Sequence, residues 1–406
     1  MRSTRSTVRI RHVSIAALPF VLGACTLFTE LSGLRGTGSG DAGIDATPLG
    51  DASPDAATDG AVPDGGGAKC PPWILPATCD AKYLSDPKNC CVAGRDCQGG
   101  ACLNGACQPV TIVPDATTDA RGIVAVGDNL VWATGCTAQL RRVLKDGAGN
   151  TGLPKGVKCT PTVAAWGANA YFIEFDGSHL NVVPIDGLQP SKVVANVAQA
   201  GARSNFARLA LDGKNAYWAT QTPPGIWYAA MNGDNATASP LAVDTITSET
   251  AKTPYGVAVD STAVYWADQG EGAIKRRQVA SLGQDIKAEV VITQANVRDV
   301  TLDADDLYWT SSDGFVRRRA KAGSGSGTTL APGQTGIESI IVDDQYVYWT
   351  NYVTGGTVRR IPKAGGTVET LATGQSYPYS ITQDCTTIYW TNQANFATGA
   401  IVKVAK

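Results

Sequence analysis

Two histidines, His12 and His179, are the chain's whole supply of imidazole, and His12 lies in a basic leader that export would remove. Proton transfer near neutral pH therefore has one imidazole candidate in the mature protein. No Gly-x-Ser-x-Gly elbow accompanies it to supply a nucleophile, so His179 reads as a structural or surface residue. Carboxylates are plentiful, 36 Asp and Glu in all, but no pair can be placed by spacing, and a glycosidase-type arrangement stays without support. The expectation is a protein with no catalytic residues, no cofactor and no metal.

Basic residues recur in one slot as Arg142, Arg276, Arg318, Arg360 and Lys403, with Val182 and Tyr228 filling it elsewhere. Cations spread over separate repeats make no single anion site. Packing beside the repeated Trp, through cation–π contact and burial of the aliphatic stem, is the expected role. Removing a leader that holds Arg2, Arg5, Arg9 and Arg11 leaves 30 basic residues against 36 acidic, which argues against nucleic acid as a partner.

Seven of the eleven cysteines crowd into residues 70–107: Cys70, Cys79, Cys90, Cys91, Cys97, Cys102 and Cys107. So short a segment has no core of its own, and dense cysteine in an exported chain reads as a disulfide framework. Zinc fits less well, because there is no Cys-x2-Cys pair and no histidine. Cys136 and Cys159 bracket the last strands of the first repeat and are expected to bridge. Cys385 is then left for one cysteine of the N-terminal module.

Aromatic and amide residues gather in the segments that vary between repeats. Phe206, Tyr255, Tyr352, Tyr377, Tyr379 and Phe396 lie there, with Asn351 and Asn392 at adjoining strand ends. Rings framed by amide donors and acceptors suit a glycan or peptide. The last two repeats bring Asn351, Tyr352, Tyr377, Tyr379, Asn392 and Phe396 to one sector, which is the predicted ligand site.

The elements that must position these residues are seven copies of one phrase. They end in Leu130-Val131-Trp132, Ala170-Tyr171-Phe172, Ala216-Tyr217-Trp218, Val264-Tyr265-Trp266, Leu307-Tyr308-Trp309, Val347-Tyr348-Trp349 and Ile388-Tyr389-Trp390. The Trp positions lie 40, 46, 48, 43, 40 and 41 residues apart, the period of a four-stranded propeller blade. Short runs rich in Val, Ile, Tyr and Trp, broken by Gly and Asp, predict an all-β chain. An Asp six residues before the Trp (Asp212, Asp260, Asp303, Asp343, Asp384) suits the N–H groups of a tight turn. Val126 and Trp166 replace it in the first two copies.

The last repeat stops after Ala400-Ile401-Val402-Lys403-Val404 with three strands, while Val110-Thr111-Ile112-Val113 precedes the first as a strand without a blade. Joined, they complete one sheet and protect its edges. A seven-bladed β-propeller over residues 110–406 is therefore expected, six blades being the alternative.

These repeats resemble the YWTD repeats of low-density-lipoprotein-receptor-type propellers and the related propeller lipoproteins of bacteria. The last letter drifts through Thr134, Glu174, Thr220, Asp268, Ser311, Asn351 and Asn392, and seven copies exceed the six of the receptor propellers. The N-terminus resembles a lipoprotein signal: a basic stretch, an apolar run of about ten residues too short to span a bilayer, and the lipobox-like Leu22-Gly23-Ala24-Cys25. The resemblance implies a signal peptide over residues 1–24 and lipid on Cys25 that holds the chain to a membrane. Thr26 in place of Asp favours the outer membrane. Residues 25–69, with six aspartates between Asp41 and Asp64 and no Lys or Arg there, read as a disordered Gly/Ala/Asp/Pro spacer. The expected whole is a monomeric, lipid-anchored, exported propeller that binds a cell-surface or extracellular glycan or protein, with a lyase, lactonase or glycosidase as the alternative.

Overall fold

The computed structural model describes residues 78–116, 119–134, 140–153, 161–174, 179–196, 208–221, 224–231, 244–245, 253–282, 284, 287–394 and 399–406. The expected signal peptide (1–24), Cys25, the spacer (25–69), Cys70, Cys136, Cys159, Phe206 and Phe396 lie outside these residues.

Seven four-stranded antiparallel sheets form the body, a seven-bladed β-propeller. Blades 1 to 6 run in chain order, with inner strands Ile123–Val126, Thr162–Trp166, Leu209–Leu211, Pro254–Val259, Val297–Leu302 and Ile337–Val342. Blade 7 joins Pro378–Gln383, Thr387–Asn392 and Ala400–Ala405 to the N-terminal strand Val110–Val113, which pairs with Ala400–Ala405 on its outer edge. The first segment of the propeller thus closes the ring on the last, and that outer pairing leaves the C-terminal strand with two neighbours in place of an open edge.

The Tyr-Trp strands are the second strand of each blade and are buried on both sides. Trp132, Trp218, Trp266, Trp309, Trp349, Trp390 and Phe172 are all 0 % exposed. Each ring fills the wedge between neighbouring sheets, so truncating one to Ala would cost about 3–5 kcal/mol.

Turn aspartates do more than their spacing shows. In blade 6, Asp343 Oδ1 accepts the N–H groups of Gln345 and Tyr346, and Oδ2 accepts the Tyr348 hydroxyl at 2.8 Å. The ammonium of Lys406, on the neighbouring blade, reaches the same oxygen at 2.9 Å. Lys321–Asp260 (2.7 Å), Lys363–Asp303 and Lys145–Asp384 (2.7 Å) repeat this clasp across successive blades. Burial alone would raise these carboxyls. The ammonium and the turn N–H groups outweigh it and hold Asp260, Asp303, Asp343 and Asp384 below the usual carboxylate range.

The recurrent basic slot lies opposite the Tyr of each phrase rather than beside the Trp, which corrects the expectation: Arg276 pairs with Tyr265, Arg318 with Tyr308 and Arg360 with Tyr348. Arg276 and Arg360 pair with Glu289 and Glu369 of their own blades, while the other three bind neighbouring blades through backbone carbonyls. Arg142 donates to the Ile185 carbonyl at 2.6 Å, Arg318 to that of Lys363 at 2.6 Å, and Lys403 to that of Lys145 at 2.9 Å. The slot is structural because its donors are spent on the seams or on a glutamate of the same blade.

Among the described residues the cysteine-rich module holds three disulfides, Cys79–Cys91, Cys90–Cys102 and Cys97–Cys107. These six cysteines are taken up by one another, so the disulfide that Cys385 forms is with none of them. The module packs on the closing blade. Arg95 Nε donates to the Lys406 carbonyl at 3.0 Å, and Cys90, Cys97, Cys102 and Cys107 share a hydrophobic cluster with Trp390, Val402 and Val404.

Candidate binding site

The inner strands surround the central channel, and each contributes one residue opposite the Trp position of its own blade: Ile123, Val163, Leu209, Val257, Val300, Ile340 and Ile381. All of these but Ile340 line a cavity of about 120 Å³ in the channel. One residue earlier stand Gly122, Thr162, Arg208, Gly256, Asp299, Ser339 and Ser380, and before them Arg121, Pro161, Tyr255, Arg298, Glu338 and Tyr379. These two rows line a second cavity of about 50 Å³ at the channel mouth, Arg121 excepted.

Charge at the mouth is paired across blades. Arg298 on blade 5 meets Glu338 on blade 6 at 2.7 Å, and its guanidinium lies 4.6 Å over the Tyr255 ring of blade 4. Arg208 on blade 3 reaches past blade 4 to Asp299 at 2.6 Å and donates to Ser339 Oγ at 2.5 Å. Gly256 makes that reach possible, since a Cβ there would overlap Asp299 Oδ1 and lie 2.7 Å from its Cα. Asp299 also accepts the N–H groups of Val300 and Ile340, at 3.0 and 3.1 Å. Burial pushes its carboxyl up to about 6, against the pull of Arg208. Burial likewise raises Glu338, with Arg298 opposing.

Beside these pairs stands the predicted aromatic sector, in part. Tyr352 lies 5.2 Å from Tyr377 and 5.7 Å from Tyr379, ring centre to ring centre, in tilted and edge-on contacts. Tyr379 is buried and lines the mouth, while Tyr352 and Tyr377 are half-buried. The Tyr352 hydroxyl donates to Gln393 Oε1 at 2.5 Å, Gln393 Nε2 donates to Asp119 at 3.0 Å, and Asp119 pairs with Arg121 at 2.8 Å. Thr354 donates to the Tyr377 hydroxyl at 2.7 Å. The chain Tyr352–Gln393–Asp119–Arg121 links blades 6, 7 and 1.

Asn351 and Asn392 do not join this sector. Asn351 is 5 % exposed, donating to the Thr335 carbonyl at 2.8 Å and accepting from Thr357 at 3.0 Å. Asn392 donates to Gln375 Oε1 at 3.0 Å, the oxygen that also receives the Trp390 indole at 3.1 Å. Both amides fasten the segments entering their blades. His179 sits on blade 2 with Nδ1 3.2 Å from Glu174.

Sequence reasoning missed Arg208, Arg298, Asp299, Glu338 and Gln393. The available signal was positional: counting back two residues from each Trp-facing residue of the inner strand reaches Tyr255, Arg298, Glu338 and Tyr379 together.

No protein-family model matches the chain, and no curated protein matches it in sequence. Solved structures match its fold. The WD40 β-propeller domain of Doa1 superposes with a TM-score of 0.57 at 14 % identity, over 73 % of this chain and 95 % of that one. A streptogramin B lyase gives 0.56 at 12 % identity, over 73 % and 97 %. A nidogen/laminin complex is also similar, at a TM-score of 0.42 and 19 % identity over 52 % of this chain and 80 % of that one, too partial a likeness to argue from. Identities this low show the β-propeller fold alone, a fold on which binding proteins and enzymes both occur.

Proposed function

We infer that this chain is a lipid-anchored cell-surface propeller that captures an envelope or extracellular partner, glycan or protein, at the mouth of its channel, without chemistry of its own. The observation that carries this reading is the patch formed by Tyr255, Tyr352, Tyr377 and Tyr379 around the Arg298–Glu338 pair, with neutral amide and hydroxyl groups beside it. Stacking surfaces framed by polar groups, held on rigid strand ends, recognise a ligand without a moving part.

A lyase would need a side chain at the mouth with a lone pair free to take a proton. Asp299, whose carboxyl burial raises to about 6, is held by Arg208 and two backbone N–H groups. Both Glu338 oxygens accept from Arg298. These engagements favour recognition over reaction. Anchoring through Cys25 would keep the propeller at the envelope, where such a partner is met.

Capture of envelope and extracellular material by the full chain tests the reading. Tyr255→Ala and Tyr352→Ala should each weaken capture at least tenfold, the loss of about 1.4 kcal/mol or more expected of a residue central to binding. Capture unchanged in both variants would move the site away from the mouth.

A further inference from the structure

One backbone position recurs where the chain enters a blade. The residue leaving the Tyr-Trp strand donates its N–H to the carbonyl of the residue just before the inner strand: Gln269 to Thr253 (3.0 Å), Ser312 to Asn296 (2.8 Å), Tyr352 to Gly336 (2.6 Å) and Gln393 to Tyr377 (3.1 Å). In blades 5, 6 and 7 that entering residue is left-handed, with φ of +60° for Asn296, +65° for Gly336 and +54° for Tyr377. Glycine adopts this conformation freely and Asn tolerates it, but for a bulky side chain it is an outlier held against the steric preference of an L-residue. Blades 5 and 6 therefore use the residues the backbone favours, and blade 7 does not. Strain of this kind gathers at functional sites.

The Tyr377 ring stands in the aromatic sector, half-buried against Tyr352, its hydroxyl held by Thr354. Its surroundings carry no unbalanced charge, since Asp119 is paired with Arg121 and Glu338 with Arg298. An extended peptide would look for backbone partners, yet the N–H groups of Tyr352, Gln393 and Tyr377 are already bound to Gly336, Tyr377 and Val353. A sugar ring has no such need. Its C–H face lies on an aromatic ring, and its hydroxyls exchange hydrogen bonds with exposed side-chain hydroxyls such as that of Thr354.

We propose that Tyr377 is a ligand-stacking residue retained against the preference of its backbone, and that the sector takes a pyranose ring of an uncharged glycan. The proposal rests on the reading of the mouth as a binding site and names its ligand class. Calorimetric titration of the full chain with cellohexaose, maltohexaose and chitohexaose, and with polygalacturonate as the charged counterpart, tests it alongside thermal unfolding. At least one neutral oligosaccharide should bind. Tyr377→Asn should weaken that binding at least tenfold while Tm holds or rises by about 2 °C, because the strain is relieved. Tyr377→Phe, which keeps ring and backbone, should stay within about threefold of wild type. Binding of polygalacturonate alone, or of none of the four, would overturn the proposal. So would a Tyr377→Asn variant that loses several degrees of Tm and keeps its binding, since the ring would then be packing. Capture of a protein by a mouth that binds no oligosaccharide would leave the binding reading standing and remove only this proposal.

Discussion

At the scale of residues, the same side-chain types serve opposite ends of the blades in different ways. Aspartates at the turns share their oxygens among N–H groups, a Tyr hydroxyl and a lysine from the neighbouring blade, and their carboxyls are held low. Their contribution is fully present above the ordinary Asp value near 4 and is lost as pH falls through the depressed folded values. Asp343→Asn or Lys406→Met should therefore cost about 1–2 kcal/mol at pH 7, lowering Tm by a few degrees, and the deficit should shrink below pH 4. Thermal unfolding across pH checks this. Asp299 has the opposite sign: its carboxyl is raised to about 6, so between about pH 4 and 6 the folded state holds a proton that the unfolded chain does not. Its contribution to stability falls as pH rises through that window, and Asp299→Asn should abolish that segment of the pH dependence. The turn aspartates were legible from their spacing. Their lysines were not, because Lys145 meets Asp384 only when the ring closes, although a Lys directly after the third strand in four repeats was the available signal. Asn351 and Asn392 misled for a related reason: a strand-end amide beside a loop serves equally to fasten that loop, and here it does.

At the scale of elements, the strand that closes the ring and the glycine that lets a guanidinium cross the mouth carry the most consequence. Val110–Val113 covers the edge of Ala400–Ala405. Replacing Thr111 by Pro, whose missing N–H and fixed φ disfavour a strand, should loosen blade 7 and increase proteolysis at both termini; cleavage no faster than wild type would show that the module alone secures the closure. Gly256→Ala should displace Asp299 by steric overlap and separate it from Arg208, reducing stability by about 1–3 kcal/mol. The blades were legible because a bulky ring recurs at a fixed interval and every copy faces the same wedge between sheets. The mouth was not, because its rows differ from blade to blade: Gly122, Thr162, Arg208, Gly256, Asp299, Ser339 and Ser380 share a position and no chemistry. Only the register of each inner strand against its Trp brings them to one level.

At the scale of the whole molecule, the propeller holds a set of dissimilar side chains in a ring, and the proposed recognition would follow from that dissimilarity. Arg208 and Ser339 lie 131 residues apart in sequence and touch across the channel. The proposed anchor belongs to the same scale: Cys25→Ser should move the protein from the membrane to the soluble fraction, and a wild-type chain with an unmodified N-terminus would contradict lipidation. The central claim, that the channel mouth is where a partner binds, is tested most directly by comparing capture of envelope material by wild type, Tyr352→Ala and Leu188→Ser. Leu188 is 79 % exposed in the turn after the third strand of blade 2, at the end of the propeller opposite the mouth. The account predicts at least a tenfold loss for Tyr352→Ala with wild-type capture for Leu188→Ser. Wild-type capture by Tyr352→Ala with loss in Leu188→Ser would place the partner on the other face.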